Sequence, residues 1–270
     1  MMSERVFSYK QSRKVNKNLS LLYKIQSVLK ESGYFDISRI SQEVLHFIEQ
    51  KKLSQDILFQ RILSGEPWEY ISGKTEFRGY DFLVNRDVLI PRIETEQIVD
   101  IAKNNLKGMK NIVDIGTGSG CIAISLAKEI KTNIPIYAID ISQKALHIAQ
   151  ENAKLNGVEE RIIFKNNNLL EGLEFSSPTL YIANLPYIPI DMYDKLDKSV
   201  HDFEPKLALE AGEDGLKYYK EILKQIPKGD NVLIIEIEPS TLENIRKIKQ
   251  PTKIIKDYRR LDRFLLFNFS

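Results

Sequence analysis

Cysteine is nearly absent from this chain. Cys121 is the only one in 270 residues, so no disulfide can form within the chain, and the composition suits a reducing compartment. Cys121 opens an apolar helical stretch and reads as a small buried hydrophobe rather than a reactive thiol. Histidine is scarce too. His46, His147 and His201 are scattered without ligand spacing, so no metal site is expected. Charge of one sign is also missing: 39 basic and 37 acidic residues leave a net +2. Broad nucleic-acid affinity usually needs more, and no stable nucleic-acid binding is expected. Lys and Arg still cluster in the first 30 residues and again from Arg246 onward. No apolar run approaches the roughly 18 residues of a membrane span, and the N-terminus lacks a signal-peptide core. The expectation is a soluble, cytoplasmic protein without membrane association.

What is present divides the chain into three parts. From Leu19 to Ser64 the apolar residues follow helical periodicity, with Leu19, Leu22, Ile25, Val28 and Leu29 on one stripe. Ile40, Val44, Leu45, Phe47 and Ile48 form a second stripe, and Ser54 or Asp56 begins a third helix that Gly65 and Pro67 terminate. Residues 1–69 are expected to be a helical substrate-recognition domain. In residues 70–90 the alternating, aromatic Glu76–Val84 reads as a β-hairpin linker. Residues 91–270 begin with a helix over Glu94–Leu106 and continue as a βα alternation. Strands are expected at Asn111–Ile115, Pro135–Ile139, Ile162–Phe164, Leu180–Ala183, Asn231–Ile237 and Arg263–Phe269. Such alternation predicts an α/β fold, a mostly parallel, doubly wound sheet covered on both faces.

The chemistry concentrates at strand ends. Asp114-Ile115-Gly116-Thr117-Gly118-Ser119-Gly120 carries a strand through a glycine-rich turn into a helix, where a ligand can approach the backbone. Asp140 ends the next strand, where a carboxylate can accept hydrogen bonds from both hydroxyls of a ribose. NAD and S-adenosylmethionine both carry that ribose. The turn lacks the last glycine of G-x-G-x-x-G, having Cys121 and Ile122 there. Asp114 would repel a pyrophosphate but attract the ammonium group of S-adenosylmethionine, which is therefore the expected cofactor. Asp114 can also cap the following helix, and the two roles are compatible.

Asn184-Leu185-Pro186-Tyr187 follows the strand Leu180–Ala183 and should share that rim. An amide or aniline-type nitrogen is a poor nucleophile because its lone pair is delocalised. Asn184 offers a side-chain carbonyl and Leu185 a main-chain carbonyl to hold its two N–H bonds. Tyr187 offers a flat face for a planar group, and Pro186 limits backbone freedom. The pattern predicts methylation of a planar NH2 group, with catalysis by positioning.

Several of these segments, in order, resemble the HemK/PrmC family of release factor glutamine methyltransferases over nearly the whole chain. They are Tyr70–Phe77 with Phe82–Val84, Leu89-Ile90-Pro91-Arg92-Ile93-Glu94-Thr95-Glu96, Asp114–Gly120, Asn184–Ile188, Phe203–Pro205 and Asp214–Leu216. The resemblance implies a Rossmann-like class I methyltransferase domain behind a helical N-terminal domain. It also implies methyl transfer to the glutamine amide in the Gly-Gly-Gln loop of a translation release factor, by a monomer. Carried over by position, Gly116, Thr117, Gly118, Ser119, Gly120 and Asp140 would hold the cofactor, with Asn168 near the adenine. Asn184, Leu185, Pro186 and Tyr187 would form the glutamine slot, Asn184 also touching the cofactor, while Arg92 and Glu94 would brace the pocket. The chain departs from the family in having Leu185 and Ile93 in place of prolines, Asn168 in place of an acid, and Glu238 in place of a glycine. Asn-Leu-Pro-Tyr is also the form of rRNA adenine methyltransferases, so methylation of an adenine amino group in nucleic acid stays open. A non-catalytic module that binds the cofactor or a translation factor is a third reading.

Overall fold

The computed structural model describes residues 18–50 and 53–270. Arg5, Lys10, Arg13, Lys14 and Lys17 of the basic N-terminal cluster lie outside them. The chain divides into two compact units: residues up to Ser72 with Lys198–Phe203, and Gly73–Asp197 with Glu204–Ser270.

The first unit contains helices α1 (residues 18–31), α2 (Ile37–Glu49), α3 (Gln55–Leu63) and α4 (Trp68–Ser72). Asp36 caps α2 and Ser54 caps α3, each side chain accepting a backbone N–H of the first turn. Ile25, Leu29, Val44, Phe47, Leu58, Ile62 and Trp68 form the core, with Phe47 meeting Trp68 edge-on at 5.7 Å. Leu19 of the expected first stripe is 49% exposed. One turn before Leu22, it lies beyond the end of the core.

The second unit begins with a hairpin of β1 (Lys74–Phe77) and β2 (Tyr80–Leu83). Arg78 and Gly79 both take positive φ at its tip, as a two-residue I′ turn demands. Phe77 and Phe82 are fully buried in the core of this unit, so the segment expected to be a linker is packed structure of the second unit. Arg78 fixes the tip by pairing with Glu129 at 2.6 Å and Asp100 at 2.9 Å.

After α5 (Glu96–Lys103) the chain winds β3 (Asn111–Ile115), α6 (Cys121–Glu129), β4 (Ile136–Asp140), α7 (Gln143–Leu155), β5 (Ile162–Asn166) and β6 (Thr179–Ala183). Two single turns follow, α8 (Ile190–Tyr193) and α9 (Lys198–His201), the latter in the first unit. Then come α10 (Lys217–Gln225), β7 (Asn231–Glu236), α11 (Leu242–Ile248), β8 (Lys253–Lys256) and β9 (Asp262–Phe269). Strand order is β5-β4-β3-β6-β7-β9-β8, with β3 to β7 parallel and β8 and β9 antiparallel at one edge. The continuous apolar runs of β3 and β6 are buried at every position, as a sheet covered on both faces requires. Strand β8 was not expected from the sequence: Lys253 and Lys256 are exposed and the two isoleucines between them only partly covered. A four-residue edge strand carries little apolar signal. No helix among the described residues is long and apolar enough to cross a membrane.

One buried amide ties three parts of this unit together. Asn152 of α7 is fully buried; its Oδ1 accepts from Leu83 N at 2.6 Å, and its Nδ2 donates to Leu83 O and Ser119 O, both at 2.9 Å. It fastens the hairpin and the glycine loop to one helix. Asn152→Ala should therefore cost about 1–3 kcal/mol of stability, because it strands buried backbone groups. Chemical denaturation checks this, and an unchanged midpoint would show that Asn152 is not a clamp.

Candidate functional site

Strands β3 and β6 are neighbours, and the strand order reverses direction between them. Their last residues pair in register, Ile115 with Ala183, and Ile115 pairs with Ile139 on the other side. The glycine loop, Asp140 and Asn184 therefore leave the sheet at one rim, at the switch point where open α/β sheets bind ligands. A cavity at that rim is lined by Gly116, Thr117, Gly118, Ser119, Asp140, Asn168, Asn184, Leu185, Pro186 and Arg92 among the expected residues. Asp114, Gly120, Tyr187 and Glu94 do not line it.

The loop's own hydrogen bonds distinguish the two nucleotide cofactors. Gly116 N and Thr117 N donate to Ile139 O at 2.8 and 2.9 Å, Gly118 N to Asp140 Oδ2 at 2.9 Å, and Gly120 N to Thr117 O at 2.8 Å. Amides already committed to the protein do not form a phosphate cradle. Asp140 accepts from Gly118 N and from Ser142 N, one bond on each oxygen. A carboxylate has about four acceptor sites, so acceptor capacity is left for ribose hydroxyls. Asp140 thus fits the ribose of an adenosyl group. Burial raises the Asp140 pKa, opposed by its backbone hydrogen bonds.

Asp114 stands behind the loop. It is fully buried; Oδ2 accepts from Thr117 Oγ1 at 2.6 Å and from Ala123 N at 3.2 Å, while Oδ1 has no hydrogen-bond partner. Ala123 lies in the first turn of α6, so the observed contacts are those of a helix cap. Burial pushes its pKa up to about 7.

Gly116 has φ of +72°, and a side chain there would meet Leu185 Cδ2 at 2.9 Å. The leucine that replaces a family proline is buried and fills space against the loop. Its carbonyl lies 3.3 Å from Tyr219 Oη, which makes its shorter bond, 2.6 Å, to Glu236 O. Leu185 O therefore keeps acceptor capacity. Asn184 Nδ2 donates to Thr95 Oγ1 at 3.0 Å, committing its amino end to the protein and leaving the carbonyl end to accept. Tyr187 packs against the core around Tyr219 and Leu185, and burial raises its phenol to about 12. A side chain at Gly215 would meet Tyr187 O at 2.5 Å, so the Asp214–Leu216 segment lies directly on the tetrapeptide.

Arg92 and Glu94 have separate partners. Arg92 pairs at 2.6 Å with Glu204, whose side chain is buried and also accepts from Ile90 N. Glu94 pairs with Arg259 at 3.4 Å, away from the cavity wall. Ile93 is exposed and begins a 3-10 turn into α5. Sequence reasoning missed Thr95, Asp87, Ile141 and Tyr218 of the lining. It also gave no role to Glu236, buried beside them. Two signals were available: Glu236 ends a strand as Asp140 does, and Ile141 is an apolar residue directly after a strand-end acid.

A raised carboxyl pKa fixes the sign of a pH effect. Asp114 keeps its proton to about pH 7 when folded, but loses it near 3.8 when unfolded. Its contribution to stability is full below about pH 4 and is lost as the pH rises through about 7. The Asp114→Asn protein should therefore gain stability relative to wild type between about pH 5 and 8. Denaturation curves measured at both pH values give this difference, and a constant offset would contradict the raised pKa.

Comparisons place these features among known proteins. A family model for ribosomal protein L11 methyltransferase (PrmA) matches residues 94–201. The chain is 39% identical over 233 residues to the release factor glutamine methyltransferase of Flavobacterium psychrophilum, covering 80% of each chain. It is 32% identical over 265 residues to that of Nitratidesulfovibrio vulgaris, covering 87% of this chain and 90% of that protein. Among solved structures, the hMettl16 catalytic domain in complex with MAT2A 3'UTR hairpin 1 superposes with a TM-score of 0.53. That match covers 82% of this chain and 93% of the other at 14% identity, a likeness of fold.

Proposed function

The chain belongs to the release factor glutamine methyltransferases, and from that premise we propose that it methylates the glutamine side-chain amide in the Gly-Gly-Gln loop of a translation release factor. S-adenosylmethionine, when bound, supplies an electrophilic methyl group on a sulfonium. Asp140 would hold the ribose, and the backbone of Gly116–Gly118, with Ser119, Asn168, Ile141 and Leu169 of the cavity wall, would enclose the rest. The glycine loop, which Asp114 supports from behind through Thr117, would hold the methionine end. Asn184 Oδ1 and Leu185 O accept the two N–H bonds of the target amide, which turns its lone pair toward the methyl group. As positive charge develops on that nitrogen, both acceptors bind more tightly, so they favour the transition state over the ground state. Pro186 stiffens this segment, and Tyr187 shapes the slot by packing beneath it. Arg92 braces the cavity through Glu204.

The observation that carries this reading is Asn184 at the cavity wall, its amino end tied to Thr95. The protein acts as a cytoplasmic monomer, residues 1–69 recognise the release factor, and no stable complex with nucleic acid forms, in keeping with a net charge of +2.

Mass spectrometry of the Gly-Gly-Gln peptide after incubation with release factor, RNA and labelled cofactor should find one added methyl on the glutamine. Label in RNA alone would establish the adenine reading instead. Asn184→Ala should lower the rate at least about tenfold with a smaller effect on cofactor affinity; an unchanged rate would remove Asn184 as the amide acceptor. Asp140→Ala should weaken cofactor binding by about 1.5–3 kcal/mol in calorimetry, and equal affinity would rule out the ribose contact.

A further inference from the structure

A side-chain carboxamide has two ends of almost equal size and opposite hydrogen-bonding character. For Asn184 to accept from a substrate NH2 group, its carbonyl end must face the cavity. The inverted amide would set NH2 against NH2. Nothing in the Asn-Leu-Pro-Tyr sequence fixes this choice.

The surroundings of Asn184 do fix it. β7 pairs with β6 in the register Ala183 with Ile235, so Asn184 and Glu236 leave adjacent strands side by side. Glu236 is 2% exposed and Thr95 is 3% exposed. Asn184 Nδ2 lies 3.0 Å from Thr95 Oγ1, and the Thr95 hydroxyl stands close enough to the Glu236 carboxyl to favour its charged form. Glu236 Oε2 is buried and has no hydrogen-bond partner. A hydroxyl carries one proton, and above about pH 7, where Glu236 is ionised, its carboxylate only accepts. The Thr95 proton goes to Glu236, so toward Asn184 the Thr95 oxygen can only accept. That selects the amino end of Asn184 for Thr95 and sends the carbonyl end to the cavity.

We propose that Thr95 and Glu236 are positioning residues, a hydroxyl and a buried carboxylate that order the Asn184 amide so that its carbonyl faces the methyl-accepting nitrogen. This rests on Asn184 being the amide acceptor and adds the source of its orientation. The same glutamate also contributes through its main chain, since Glu236 O holds the Tyr219 hydroxyl that lies against Leu185 O. Both acceptors of the target amide are thereby braced from one residue.

The test compares steady-state kinetics on release factor for Thr95→Val, Thr95→Ser, Glu236→Met and Asn184→Ala, with cofactor affinity measured by calorimetry. Thr95→Val keeps the volume and removes the hydroxyl; Thr95→Ser does the reverse. Glu236→Met replaces a buried carboxylate with an apolar chain of similar length, a change that cores accept well. Expected are kcat values lowered about tenfold for Thr95→Val and Glu236→Met, with KM and cofactor affinity within about twofold, and Thr95→Ser close to wild type. Wild-type kcat in both Thr95→Val and Glu236→Met, with Asn184→Ala impaired, would overturn the positioning role and leave Asn184 as acceptor. Equal loss in Thr95→Ser and Thr95→Val would also overturn it, since packing rather than the hydroxyl would then matter. Wild-type kcat in Asn184→Ala would remove the acceptor itself, and this inference with it.

Discussion

The parallel pairing of β3 with β6 is the constraint from which the site follows. Ile115 and Ala183 end their strands in register, so the next residues, Gly116 and Asn184, leave the sheet together. Neither the loop nor the tetrapeptide is a site alone. The first holds a ligand by its shape and by Asp140; the second presents two carbonyl oxygens. In-register pairing places one beside the other, and the crossover from β5 back to β6 opens the crevice between them. Fully buried strands make that register hard to slip, because a one-residue shift would turn every side chain to the other face.

Around this rim the structure spends buried polar groups on orientation. Asp114 caps α6 and holds Thr117, Asn152 clamps the hairpin to the loop, Glu204 holds Arg92, and Glu236 lies under Asn184. Each takes a polar group out of water, which is costly unless partners replace the solvent. Asp114 Oδ1 and Glu236 Oε2 lack such partners, and burial raises both carboxyls toward about 7. Perturbed acids of this kind gather at functional sites.

Departures from the family pattern have local explanations here. Leu185 fills the space beside Gly116, and its carbonyl keeps acceptor capacity. Ile93 tolerates exposure because the entry to α5 is a 3-10 turn on the surface. Glu238 pairs with Arg263 at 3.4 Å at the end of β7.

Much of this was legible in the sequence, because the signals were local. Apolar runs identified β3, β6 and β7 within a residue or so, and helical periodicity found α5, α6 and α7. The Asp114–Gly120, Asp140 and Asn184–Tyr187 motifs, each at the end of a strand, marked the rim. Short, half-exposed β8 and the single turns α8 and α9 carry too few apolar residues to show a period. Which motif residues face the cavity was decided only by packing. Tyr187 packs on the core beside Tyr219 and Asp114 is buried behind the loop, whereas Thr95, Ile141 and Tyr218 are brought to the wall from segments far apart in sequence. Sequence by itself determined the chemistry available, because it sets residue type and strand-end position. Tertiary structure decided how that chemistry is aimed, since the direction of an amide or a carboxylate depends on neighbours that only folding brings within hydrogen-bond reach.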